Sequence, residues 1–142
     1  MEFKSKSRLE TFEIGRQYGE MAKAGEVYAL NGDLGAGKTV WAKGFAAGLG
    51  IKEPVSSPTF TIQQVYEGGR LTLNHFDVYR IDDPDELLEI GFEETLDSDG
   101  VCLIEWADKV REYLPQGTIV VTITRVYDGS PDDRLIAVEE QD

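Results

Sequence analysis

The stretch LNGDLGAGKTVWAKG, Leu30 to Gly44, constrains this chain more than any other. Gly32, Gly37, Lys38 and Thr39 satisfy GxxxxGK[ST], and the flanks supply what the pattern needs, a short apolar strand from Val27 to Leu30 and helical spacing afterwards. Each residue type answers a physical demand. Glycines let the backbone curl so that successive N–H groups converge on phosphate oxygens, a lysine reaches the β and γ phosphates, and a hydroxyl can ligate Mg²⁺. The alternative, a glycine turn carrying a solvated lysine, does not require the strand and the helix. The expected phosphate cradle is Gly32, Asp33, Leu34, Gly35, Ala36, Gly37, Lys38, Thr39 and Val40. Asp33 is awkward in an anion site, and its carboxylate is expected to point outward.

The rest of the chain says that such a site must be local. There are 27 acidic against 14 basic residues, a net charge of −13. A surface so acidic repels phosphate backbones, which argues against binding RNA or DNA alone unless a partner supplies positive charge. A length of 142 residues suits a single domain, 1–142, with enough core to fold unaided. One cysteine and one histidine exclude an internal disulfide and the usual metal-ligand spacings. No apolar run approaches the ~20 residues that span a bilayer, so a cytosolic protein is expected.

Periodicity gives the order of elements. Ile14, Tyr18 and Met21 mark an amphipathic helix over Thr11 to Ala24, closed by Gly25. Ala42, Phe45, Ala46 and Leu49 mark a second, stopped by Gly50. Thr61 to Tyr66 and Leu71 to Phe76 read as a hairpin around Glu67–Arg70, and Asp83, Pro84, Asp85 and Glu86 as the cap and acidic first turn of a short helix ending before Gly91. Val101 to Ile104 is the continuous apolar run of a strand buried on both faces. A further helix is expected after it, and Thr118 to Thr124 and Arg134 to Val138 form a closing hairpin. The order predicts an α/β fold, a three-layer P-loop nucleotide-binding domain with a mixed β-sheet flanked by helices.

Two carboxylates end strands. In LTLNHFD, alternation places Asp77 on the face of Leu71, Leu73 and His75, and in VCLIEW Glu105 ends the apolar run. A carboxylate there is costly unless it is paired, hydrogen-bonded or bound to a cation. Mg²⁺ would meet that cost, and a salt bridge to Arg80 or Lys109 is the structural alternative. Thr59 lies where a loop could fold over the γ-phosphate, or could merely cap a turn. His75 is read as orienting Asp77, Arg80 as either an arginine finger or an ion-pair partner, and Trp41 and Trp106 as packing residues.

GDLGAGKT, SPTF, HFDVYR and LIEW, in this order and at these separations, resemble the TsaE (YjeE) family of bacterial P-loop ATPases, over nearly all of Thr11 to Val138. The resemblance implies binding of ATP with Mg²⁺, slow hydrolysis, and association with the TsaB and TsaD proteins. TsaD transfers the threonylcarbamoyl group to adenosine 37 of tRNAs that read ANN codons, so tRNA would be met through that complex. Carried over by position, Thr39 and Glu105 are Mg²⁺ ligands, Asp77 serves hydrolysis with Lys38, and Thr11 and Arg134 contact the nucleotide. Family members often have proline after the tryptophan of LIEW, where this chain has Ala107. Which of Asp77 and Glu105 orders the attacking water is left open. So are two other readings of the loop, a nucleotide-gated interaction switch with incidental turnover and a small-molecule kinase, the latter disfavoured by the scatter of its arginines.

Overall fold

The computed structural model describes residues 1–33, 35–55, 62–83 and 85–141. Seven strands, β1 (Glu2–Ser5), β2 (Val27–Asn31), β3 (Gln63–Tyr66), β4 (Leu73–Asp77), β5 (Val101–Glu105), β6 (Ile119–Arg125) and β7 (Arg134–Glu140), form one sheet in the order β1-β7-β6-β2-β5-β4-β3. The inner strands β6, β2, β5 and β4 run parallel, while β7, β1 and β3 pair antiparallel at the flanks. The mixed sheet is therefore a parallel centre closed by two hairpin-like margins.

Alternation along the inner strands feeds two cores. Tyr28, Leu30, Leu73, Leu103 and Val121 face α1 (Arg8–Met21) and α2 (Lys38–Gly48), packing on Trp41, Phe45 and Leu49. Val27, Ala29, Phe76, Cys102 and Ile104 face α3 (Asp85–Glu89), α4 (Phe92–Leu96) and a 3₁₀ segment, Ala107–Tyr113, kinked at Val110. Three layers result, as the element order predicts. Trp41 is a packing residue, stacked on Phe45 with ring centroids 5.2 Å apart. Burial pushes the free Cys102 thiol up to about 12, so it is an inert core side chain. Among the described residues no helix is long and apolar enough to cross a membrane.

Several boundaries differ from the sequence reading. Helix α1 starts at Arg8, not Thr11, because the Ser7 hydroxyl accepts the Glu10 N–H (3.1 Å) while the Glu10 carboxylate accepts the Lys6 N–H (2.6 Å). It ends at Met21, with Ala22 extended (ψ 141°), and Gly25 turns the chain three residues later (φ 86°). Strand β1, pairing antiparallel with β7, was not expected at all. The helix before Gly91 is followed by a second one, α4, and the segment after β5 winds as 3₁₀ rather than α. The β3–β4 hairpin holds, with β4 at Leu73–Asp77 and Tyr66 opposite Leu73.

Helices α1 and α2 meet backbone to backbone. A methyl group on Gly44 would strike the Phe12 carbonyl, and one on Gly48 the Arg16 carbonyl, far inside van der Waals distance. Gly44→Ala is accordingly expected to force the helices apart and destabilise the protein by about 3 kcal/mol. Thermal unfolding should show a Tm roughly 6–12 °C lower. A Tm within about 1 °C of wild type would mean that the helix pair is not close-packed there.

Candidate functional site

The C-terminal ends of β2, β4 and β5 point to the same edge of the sheet, the position where open α/β sheets form a binding crevice. From β2 the chain enters the glycine-rich loop. Gly35 (φ 79°) and Gly37 (φ 104°) adopt the left-handed backbone that side chains resist, and Gly37 directly precedes α2. The first intrahelical bond of α2 is Trp41 N–H to Gly37 C=O (3.1 Å), so the N–H groups before it belong to the helix start, where backbone dipole and donors favour an anion.

A cavity of about 490 Å³ opens over this helix start, lined by Gly35, Gly37, Lys38, Thr39 and Val40 of the loop and α2 and by Asp77 and Glu105 of the sheet. Thr11 and Arg134 also line it, joined by Arg8, Trp106 and Asp132. Thus most of the residues singled out from the sequence converge. Of the others, Gly32 contributes its carbonyl to the Lys38 ammonium (2.6 Å), Asp33 is exposed as expected, and Ala36 is buried beneath the loop. Leu34 and Thr59 lie outside the described residues.

Lys38, although buried, keeps its ammonium 3.3 Å from the centroid of the Trp106 ring, a cation–π contact. Burial pulls its pKa down, against the opposing pull of Glu105, Asp77 and Asp33. Trp106 is more than a packing residue. Among the described residues it is the only non-glycine with positive φ (61°), and that turn after Glu105 aims the indole at Lys38 and at Tyr79 (centroids 4.7 Å apart).

The two carboxylates face each other in register across β4 and β5. Burial pushes the Asp77 carboxyl up, the Tyr79 N–H donating to its Oδ1 (2.9 Å) pulls it down, and Glu105 raises it again. Glu105 is only 2% exposed, and its Oε2 lies 2.7 Å from His75 Nε2. This corrects the sequence reading, since the histidine's hydrogen bond goes to Glu105 rather than to Asp77. Among the salt bridges of the described residues, none joins this pair to Arg80 or Lys109. Arg80 is exposed and outside the cavity lining, and the Lys109 ammonium donates to the carbonyls of Tyr79 and Ile81.

The donor set suits a hard divalent cation. One hydroxyl, Thr39, and two carboxylates beside an anion-binding helix start match Mg²⁺, which takes few protein oxygens and completes its shell with water and phosphate.

Arg134 is placed differently from a simple nucleotide contact. Its Nε donates to Ala36 C=O (2.7 Å) and its Nη2 to Gly35 C=O (3.3 Å), with Nη1 held by the carbonyls of Pro131 and Asp133. Arg125 Nη2 also donates to Gly35 C=O (3.1 Å). Two arginines from the β6–β7 hairpin therefore grip the carbonyl side of the loop, and Arg125 was missed because nothing in the sequence pairs it with a glycine 90 residues away. Thr11 sits inside α1 with its hydroxyl 2.7 Å from Ser5 Oγ, so it reaches the cavity as a wall residue already engaged. Arg8 was missed along with the true start of α1, which the Ser7–Glu10 capping spacing encodes.

The family described as "Threonylcarbamoyl adenosine biosynthesis protein TsaE" matches residues 5–134. The tRNA threonylcarbamoyladenosine biosynthesis protein TsaE of Bacillus subtilis is 46% identical over 129 residues, covering 91% of this chain and 80% of the relative. Its counterpart in Treponema pallidum is 43% identical over 126 residues, covering 89% and 93%. The crystal structure of Bacillus subtilis YdiB superposes with a TM-score of 0.86 at 39% identity, covering 100% of this chain and 86% of that one.

Proposed function

The chain belongs to the TsaE family, whose named members are tRNA threonylcarbamoyladenosine biosynthesis proteins, and we propose that it serves that modification as a cytoplasmic, Mg²⁺-dependent ATP hydrolase supporting TsaB and TsaD. The observation that carries the proposal is the convergence of Lys38, Thr39, Asp77 and Glu105 on one cavity over a helix start. That combination meets the needs of phosphoryl transfer, in which positioning and charge neutralisation supply most of the catalysis.

In this reading the loop amides and the Lys38 ammonium bind the β and γ phosphates. Lys38 gives up its bond to Gly32 C=O and its place over Trp106 to do so. Thr39 and Glu105 would hold Mg²⁺, which would supply neutralisation of phosphate charge at this site. Asp77 orients the attacking water. Burial raises its pKa, which favours accepting a proton, and the Tyr79 N–H fixes one oxygen so that the other can face the water. Water oxygen bonds to the γ phosphorus, the β–γ bridging bond breaks toward ADP, and the water's proton passes to Asp77 or to phosphate.

Arg134 and Arg125 contribute by holding the Ala36 and Gly35 carbonyls of the loop, which fixes its backbone for the anion. Arg134→Met should weaken ATP binding about tenfold, roughly 1.4 kcal/mol, while leaving the chain folded. Calorimetric titration checks this, and an unchanged affinity would reduce the grip to a surface contact.

The functional test is a multiple-turnover transfer assay with TsaB, TsaD, tRNA and the threonylcarbamoyl donor. Adding this protein with ATP and Mg²⁺ should raise the number of tRNAs modified per TsaD, and an equal yield without it would remove it from the cycle. A yield raised equally well by a non-hydrolysable ATP analogue would favour the interaction-switch reading.

A further inference from the structure

His75 does something that neither the phosphate loop nor the proposed water-ordering carboxylate requires. It lies on β4 between Leu73 and Asp77, is fully buried at 0% exposure, and places Nε2 2.7 Å from Glu105 Oε2. An ionised carboxylate only accepts, so toward Glu105 in that form Nε2 is the donor. Nδ1 is buried without a hydrogen-bond partner among the described residues, which makes Glu105 the target of the ring's polar chemistry. Burying an imidazole is costly, and a core position between strands and α2 would be filled more cheaply by an apolar side chain.

Glu105 takes this hydrogen bond on Oε2 at the end of β5. Asp77 stands opposite it in register, so two carboxylates end adjacent strands. The Tyr79 N–H steadies the Asp77 carboxylate, and the longer Glu105 side chain has rotamers of its own to lose on being oriented. A donor from the neighbouring strand fixes the plane of its carboxylate.

We propose that His75 is a positioning residue that orients Glu105 for a divalent cation at the phosphate loop. This rests on the Mg²⁺–ATP reading of the cavity. Outer partners of ligating groups commonly set metal affinity by 10- to 100-fold, and that is the effect expected here.

The test uses the full chain and measures ATP affinity by calorimetry, first in EDTA and then across a Mg²⁺ series. His75→Phe keeps the ring and removes the donor, whereas His75→Gln keeps an N–H that can reach Glu105. Both should bind ATP in EDTA as wild type does. His75→Phe should require roughly 10- to 100-fold more Mg²⁺ for half-maximal tightening, and His75→Gln should recover much of the loss. A merely structural role would lower thermal stability and move both affinities together, leaving the Mg²⁺ midpoint in place. A folded His75→Phe with a wild-type Mg²⁺ midpoint overturns the proposal. If His75→Phe does not fold, His75→Asn, whose amide is too short to reach Glu105, decides by the same midpoint. Wild-type protein that binds ATP equally well with and without Mg²⁺ overturns the Mg²⁺ assignment itself, an outcome seen before any variant is compared.

Discussion

Lys38→Met is expected to weaken ATP binding by about 100-fold, roughly 2.7 kcal/mol, while leaving a folded protein. The methionine nearly matches the aliphatic stem, so the buried packing at the head of α2 survives and what is lost is the ammonium. That group is already partly stripped of water by burial, so it exchanges less hydration on meeting phosphate than an exposed lysine would. Lysine acts here as a compact point charge, and Lys38→Arg should not restore full affinity. Its planar fork presents donors in a geometry unlike that of the compact ammonium now held by Gly32 C=O and the Trp106 ring. Calorimetry on both variants checks this, and near-wild-type affinity in Lys38→Met would move the phosphate site away from the loop.

Asp77→Asn should separate binding from chemistry. The amide is isosteric and still accepts the Tyr79 N–H, so ATP affinity is expected to stay within about threefold of wild type. Hydrolysis should fall by roughly 100- to 1,000-fold, because an amide orients water poorly and cannot take its proton. The same change removes the repulsion that Glu105 feels across the strand pair, so Mg²⁺ affinity should not worsen. Single-turnover phosphate release measures the chemical step. A rate unchanged in Asp77→Asn would transfer the water-ordering role to Glu105.

What was legible in the sequence follows from which interactions are local. The strand, loop and helix around Gly32–Thr39 could be read because motif, periodicity and glycine placement act within 20 residues. Alternation put Asp77 on a core face, and the apolar run ending in Glu105 marked a buried strand end. The partner of that carboxylate was not legible. A period of two says which face a side chain takes but not which strand lies alongside, and His75 and Glu105 are 30 residues apart. Strand β1 was hidden for another reason. Glu2–Ser5 is a polar edge strand whose pairing with β7 supplies the order that its own composition lacks. The arginine grip on the loop was invisible because Arg125 and Arg134 flank an exposed hairpin tip and act on backbone carbonyls, which carry no sequence signature.

The −13 charge gains meaning beside this geometry. In the proposed function a chain of so acidic a composition meets phosphate only locally, at a cavity where Arg8, Lys38 and Arg134 stand beside Asp77, Glu105 and Asp132. Its contact with tRNA would then pass through the partner proteins.

The most direct test of the central claim is steady-state phosphate release from ATP with Mg²⁺, measured for this protein alone and then with TsaB and TsaD added. The account predicts slow release by the protein alone, a higher rate with the partners, and loss of both in EDTA. Background release under all three conditions, from protein shown to bind ATP, would contradict it and leave a nucleotide-binding module without the hydrolysis assigned to Asp77.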